Sequence, residues 1–240
     1  AVPNDCHYSY IMSALEKGIP VLSEKPMVDN QWQLNNVLKK AEEKKVFLME
    51  GMWTRCFPAV MEARNWISKG KIGKPLAVHS SFDIKPDIDD WQPWKGGVQH
   101  AAGALRDVGI YSLAMAFMVF PQEPENIYST MKSNGEVDES FHMLLEYGEG
   151  KAAFVGGAFN QISTPETEIV GEEGRIIIGP EFWHPTTATL ILNDGTKEKY
   201  METYPASGFQ FEIRKVQESI RKGDVECAHY TLDETRKIAE

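Results

Sequence analysis

The sequence predicts an α/β plus α+β protein. A partial parallel, doubly wound sheet comes first, and an open, mostly antiparallel sheet with helices on one face follows. Two observations predict this. Up to about residue 55, short apolar runs alternate with stretches of helical periodicity. Beyond residue 120, strand-like stretches follow one another without a helix between them, until an amphipathic segment opens at Phe209.

Taken in order, Ala1-Val2-Pro3-Asn4 reads as a strand end, and Asp5 as the cap of a helix carrying Tyr8, Ile11, Met12 and Leu15 on one face. Gly18 closes that helix, and Val21-Leu22-Ser23 is a short strand. A second helix over 30–45 buries Leu34, Val37, Leu38 and Ala41, and Val46–Met49 forms the next strand. Pro58 opens a third helix that ends at Gly70. Leu76 to Ile84 alternates at strand period, and a helix is expected over 104–120. Strands are then expected near 127–131, 141–147, 152–159, 167–171, 175–178 and 187–192. Asn193-Asp194-Gly195 before Lys197–Met201 signals a hairpin. A helix with Phe209, Ile213, Val216 and Ile220 inward ends at Gly223, and Thr231-Leu232-Asp233-Glu234 has the form of a capping box. Both ends read as cut.

Among 240 residues, 42% are hydrophobic, enough for a sizeable core and too many for a disordered chain. A net charge of −10 with no basic stripe argues against a nucleic-acid or anionic membrane surface. No apolar run approaches the ~18 residues of a spanning helix. Cys6, Cys56 and Cys227, far apart in the chain, read as reduced thiols of a cytoplasmic protein.

Stand-alone chemical motifs are missing. No phosphate loop, nucleophile elbow or paired metal ligands occur, so no metal is expected. Gly96-Gly97 and Gly156-Gly157 read as turns or bulges. Two clusters remain. Lys25, in Glu24-Lys25-Pro26, follows a strand of a parallel sheet, the position where such sheets bind ligands. Asp107 and Tyr111 share a helical face around Gly109, whose presence in a helix hints at a close approach. Taken alone, each cluster reads more simply as solvated or packed side chains.

Together, the runs Pro3-Asn4-Asp5-Cys6-His7, Val21-Leu22-Ser23-Glu24-Lys25-Pro26, Glu50-Gly51-Met52-Trp53-Thr54-Arg55, Gly103-Ala104-Leu105-Arg106-Asp107-Val108-Gly109-Ile110-Tyr111 and Ser207-Gly208-Phe209-Gln210-Phe211-Glu212 resemble the glucose–fructose oxidoreductase/inositol dehydrogenase (Gfo/Idh/MocA) family. They look closest to its dihydrodiol dehydrogenase and xylose dehydrogenase subgroup. The resemblance implies that residues 1–55 are the second half of a Rossmann dinucleotide-binding domain, its first half absent. It also implies that 56–240 form a substrate and dimerisation domain. The implied reaction is hydride transfer between NAD or NADP and a hydroxyl or carbonyl carbon of a sugar, polyol or diol.

Carried over residue by residue, Lys25, Asp107 and Tyr111 are the catalytic positions, with Tyr111 as acid/base and Asp107 as its orienting partner. Pro3, Asn4, His7, Glu24, Lys25 and Pro26 line the nicotinamide side, with Trp53 and Arg55 as further cofactor contacts at the domain junction. Trp91, Trp94 and Phe209 are candidate substrate contacts, and the two tryptophans with Trp53 read equally well as packing. A homodimer through the open sheet is implied, with neither nucleic acid nor membrane as partner.

The chemistry suits these residue types. A tyrosine near pKa 10 needs lowering by about three units to act near neutrality, and the Lys25 ammonium supplies part of that. The sequence departs from the family in lacking the Gly-x-Gly-x-x-Gly turn, in His100-Ala101-Ala102-Gly103 standing where a glycine run is usual, and in Arg106 beside Asp107. A non-catalytic sugar-binding or dimerisation module of the same fold is therefore the competing expectation.

Overall fold

The computed structural model describes residues 2–85 and 103–240. Helix α1 (Asn4–Glu16) begins earlier than expected, so Asn4 is helical rather than the end of a strand. Pro3 takes the N-cap position without a side-chain cap, its fixed φ suited to a helix start, and Asp5 lies in the first turn. Strand β1 (Val21–Glu24) leads to α2 (Gln31–Lys44), capped by Asn30 through Gln33 N–H at 3.0 Å. Strand β2 (Leu48–Gly51) starts two residues later than the apolar run, because Val46 N–H still satisfies Ala41 at the left-handed exit of α2. β1 and β2 pair in parallel as a two-stranded sheet. Ile11, Leu15, Leu34, Val37 and Leu48 form its small core.

A 3₁₀ turn (Trp53–Cys56) enters α3 (Pro58–Ser68), followed by β3 (Pro75–Asp83). The helix expected over 104–120 divides into a π-helical segment (Leu105–Gly109) and α4 (Ile110–Val119). Then come β4 (Asn126–Ser133), β5 (Asp138–Glu146), β6 (Ala152–Ala158), β7 (Thr167–Gly171), β8 (Gly174–Ile178), β9 (Thr187–Leu192) and β10 (Lys197–Met201). The eight strands lie in the order β10-β9-β8-β7-β3-β6-β5-β4, with β3 and β6 parallel and every other pair antiparallel. α3 and α4 cover one face, over Val78, Val155, Ile169, Ile176 and Leu190.

The Gly156-Gly157 pair is not a turn: it lies within β6. A Cβ on Gly109 would sit 2.2 Å from Phe141 Cε1, and one on Gly157 3.0 Å from Gly109 Cα. The two glycines thus let the π segment rest on the sheet backbone. Phe141–Tyr147 and Ala152–Phe159 are not exposed as whole stretches. Phe141, Leu145, Ala153 and Val155 point inward, and the face opposite the helices carries His142, Leu144 and Phe154 in their place.

Helix α5 (Phe209–Lys222) ends at Gly223 in a left-handed cap. The chain then returns to the first unit. Leu48 N–H donates to Val225 O at 3.1 Å, and α6 (Leu232–Ala239) opens with the capping box between Thr231 and Glu234. Leu232 packs on the small core. Cys56 and Cys227, distant in sequence, meet in the interior as free thiols.

Candidate active site

β1 points its carboxyl end at the π segment. Lys25, the first residue beyond it, extends Nζ to Asp107 Oδ1 at 2.6 Å and to the Asp107 carbonyl oxygen at 2.6 Å. The same Nζ stands 5.1 Å from the centre of the Tyr111 ring. The convergence implied by the resemblance is therefore present, across the two units. The π segment is positioned from β5, where Asp138 Oδ2 accepts the Leu105 N–H at 2.6 Å. π turns of this kind recur at functional sites.

Burial works against the Lys25 charge, but Tyr111 and Asp107 outweigh it and hold the ammonium above its ordinary pKa. Burial pushes the Tyr111 phenol up as well. Lys25 favours the phenolate, as expected, yet Asp107 and Glu24 add negative charge and the net shift is upward. The lowering expected from the sequence is thus reversed, because the ring is buried against the core. With its pKa raised, the Tyr111 phenol keeps its proton at neutral pH. The Trp53 indole Nε1 is buried without a hydrogen-bond partner, close enough to the Tyr111 hydroxyl to ease its ionisation slightly.

Aromatic rings pack around these residues. Trp53 stacks on Phe209 at 4.5 Å and 25°, and Phe82 stacks on Trp183 at 3.7 Å and 7°. Phe82 also lies 5.6 Å from the Tyr111 ring. Phe82 and Trp183 escaped sequence reasoning: one alternates in a strand and the other stands in a loop, and only the sheet order brings them together. Trp91 and Trp94 lie outside the described residues.

The loop after Lys25 is held atom by atom. His7 Nδ1 meets Pro26 O at 3.0 Å, and Met27 N–H donates to Glu50 Oε1 at 2.8 Å. Glu50 is buried and also accepts from Tyr230 Oη at 3.2 Å and Thr235 Oγ1 at 3.1 Å. Burial raises its pKa against those donors. Pro3 and Glu24 are exposed, and Asn4 lies in the first turn of α1. Arg55 turns into the core: it donates to Ala114 O at 3.0 Å and pairs with Glu234 at 2.7 Å, with 1% of its side chain exposed. Both contacts are structural.

The Trp53 indole N–H, buried beside the Tyr111 hydroxyl without a well-formed hydrogen bond, leaves a polar group for an alcohol or carbonyl oxygen to satisfy. The residues therefore fit the reacting end of a nicotinamide cofactor and its substrate. The sequence holds no Gly-x-Gly-x-x-Gly turn for a pyrophosphate.

Comparison with known proteins bears on the family and the fold. Residues 1–52 match the family described as "Oxidoreductase family, NAD-binding Rossmann fold", and residues 60–177 match the "GFO/IDH/MocA C-terminal domain". The trans-1,2-dihydrobenzene-1,2-diol dehydrogenase of Macaca fascicularis is 31% identical over 249 residues, spanning 98% of this chain and 71% of that protein. That of Mus musculus is 32% identical over 251 residues, with 98% and 71% covered. Among solved structures, an aldose-aldose oxidoreductase from Caulobacter crescentus complexed with glycerol superposes with a TM-score of 0.87 at 21% identity, covering 100% of this chain and 72% of that one. A levoglucosan dehydrogenase in complex with NADH and levoglucosan gives 0.86 at 18% identity, covering 100% and 74%.

Proposed function

Because the chain belongs to the GFO/IDH/MocA oxidoreductase family, we propose that Tyr111 is the proton-transfer group of an NAD(P)-dependent dehydrogenase acting on a sugar, polyol or diol. The observation that carries the reading is the Lys25 ammonium held between Asp107 and the Tyr111 ring. The bound nicotinamide supplies or accepts the hydride.

This chain's residues do the rest. In the reducing direction the Tyr111 hydroxyl donates its proton to the carbonyl oxygen, and Lys25 stabilises the phenolate that forms. Asp107 holds that ammonium by its carboxylate and its own carbonyl, which fixes the charge in place. Trp53 N–H is the second donor to the same oxygen. Phe82, Trp183, Phe209 and Trp53 exclude water and stack on the flat or cyclic body of the substrate. His7, Glu24 and Pro26 flank the nicotinamide side, with Pro3 and Asn4 at the nearby start of α1. A diol of a six-membered ring suits aromatic walls, in keeping with the dihydrodiol named for the relatives.

Residues 1–55 serve as the dinucleotide side and 56–240 as the substrate and assembly side. Two copies pair through the helix-free face of the eight-stranded sheet, where Tyr128, Leu144, Phe154 and His79 lie in register across β4, β5, β6 and β3. Phe154 is 46% exposed there and Tyr128 58%. The free Cys56 and Cys227 thiols support a reducing, cytoplasmic setting.

Hydride transfer tests the reading. With a relative's N-terminal phosphate-binding segment joined ahead of residue 1, the chain reduces NAD(P) with a diol, polyol or aldose. Turnover that survives Tyr111→Phe undiminished removes Tyr111 from this role. For the assembly, light scattering should show a dimer that Phe154→Glu dissociates.

A further inference from the structure

Arg106 neighbours Asp107 on the π segment, yet its side chain leaves the proton-transfer site and crosses to the other unit. Nη1 donates to Asp29 O at 2.6 Å and Nη2 to Val28 O at 2.6 Å, with Asp29 Oδ1 3.9 Å from Nη2. These carbonyls belong to the loop that begins at Lys25. Within that loop, His7 takes Pro26 O and Glu50 takes Met27 N–H, both from the N-terminal unit. Among the described residues, the hydrogen bonds that reach the loop from the sheet unit come from two adjacent side chains. Asp107 holds the ammonium of Lys25, and Arg106 holds the backbone three and four residues further on.

A guanidinium fork can engage two carbonyls at once in fixed geometry, which a lysine ammonium on a flexible stem does not reproduce. The charged groups facing Arg106 are Asp29, Glu50 and Asp138, and those facing Tyr111 are Lys25, Asp107 and Glu24. Arg106 does not act on the phenol directly.

We propose that Arg106 is a positioning residue: by tying Val28 and Asp29 to the π segment it fixes the backbone from which Lys25 reaches, and so sets the distance between the ammonium and the Tyr111 phenol. The proposal rests on Tyr111 being the proton-transfer group, but the quantity it controls belongs to the chain without cofactor or substrate. At an effective dielectric of ~20, withdrawing an ammonium from about 5 to about 8 Å raises a phenol's pKa by about 1 unit.

The test labels the 240-residue chain with 3-fluorotyrosine, whose phenol is more acidic than tyrosine's, and follows its titration by fluorine NMR. The Tyr111 signal is assigned by its loss in Tyr111→Phe. Arg106→Ala should move the Tyr111 midpoint upward by about 1 unit while the other tyrosines titrate as before. Arg106→Lys, which keeps one charged donor, should fold where Arg106→Ala does not and give a smaller upward shift. An unmoved Tyr111 midpoint in either folded variant overturns the proposal, as does an equal displacement of every tyrosine. The activity of Tyr111→Phe judges the catalytic reading separately, so the two can fail independently.

Discussion

Residues 2–52 rest on two parallel strands and a core centred on Ile11, Leu15, Leu34, Val37 and Leu48, whereas the sheet unit spreads its core under eight strands. The small unit is completed from outside. Its buried Glu50 is satisfied by Tyr230 and Thr235, Leu48 N–H by Val225, and the loop after Lys25 by Arg106. The large unit presents Asp107 and Tyr111 from a segment seated directly on sheet backbone. The difference teaches that the Lys25 cation comes from the less self-sufficient side, and the Tyr111 phenol beside it from the better supported one.

The largest expected effect breaks the comparison at its meeting point. Tyr111→Phe, which leaves ring packing intact, should lower kcat by roughly 10² to 10⁴ with little change in KM, read by steady-state kinetics. Lys25→Met should act on the same proton, so the two losses should not add. For reduction, Tyr111 must be protonated and Lys25 favours the phenolate. Removing Lys25 therefore raises the phenol pKa and moves the alkaline limb of the pH–rate profile upward.

Glu50→Ala sharpens the dependence of the small unit on distant residues. It strands Met27 N–H and the Tyr230 and Thr235 hydroxyls in the interior. Roughly 3–5 kcal/mol of stability should be lost, and urea unfolding should show the first unit melting ahead of the sheet.

Glu212 on α5 is buried, and that burial, with Glu24 and Cys227 adding, pushes it up to about 7. A carboxyl raised in the folded state favours folding below its unfolded pKa, and that advantage disappears as pH rises through the folded value. Stability should therefore fall between about pH 4.3 and 7 and level off above. Glu212→Gln should be more stable than the parent by roughly 3–4 kcal/mol at pH 8, and nearly equal to it at pH 4. Thermal unfolding at both pH values checks this. Thr231→Ala removes one arm of the capping box and should cost about 1 kcal/mol, seen as an earlier melting of α6.

Much of the architecture was legible in local pattern. Alternation located the strands from β3 to β10, Asn193-Asp194-Gly195 located the last hairpin, and Thr231 with Glu234 located α6. Lys25 was marked by its place after a strand, and Asp107 with Tyr111 by their shared helical face around Gly109, but only the family pattern joined them, since each alone is an ordinary side chain. Arg55, taken for a cofactor contact, is committed to Ala114 and Glu234, because burial among far segments decides where a guanidinium points. The sign of the Tyr111 shift was illegible for the same reason. Charge neighbours can be guessed from a motif, but the depth of burial cannot.

The bonds that Glu50 accepts also carry a consequence for how the polypeptide is made. A ribosome releases Met27 and Glu50 early and Tyr230 and Thr235 near the end of these 240 residues. Until the late residues emerge, Glu50 has a single one of its three buried donors, and the first sheet lacks the Val225 carbonyl that takes up Leu48 N–H. Glu50 and Leu48 therefore complete their hydrogen bonding only after the whole eight-stranded sheet has been synthesised. During that interval the Glu50 carboxyl is short of two of its partners, and shielding falls to a chaperone or to the nascent chain itself.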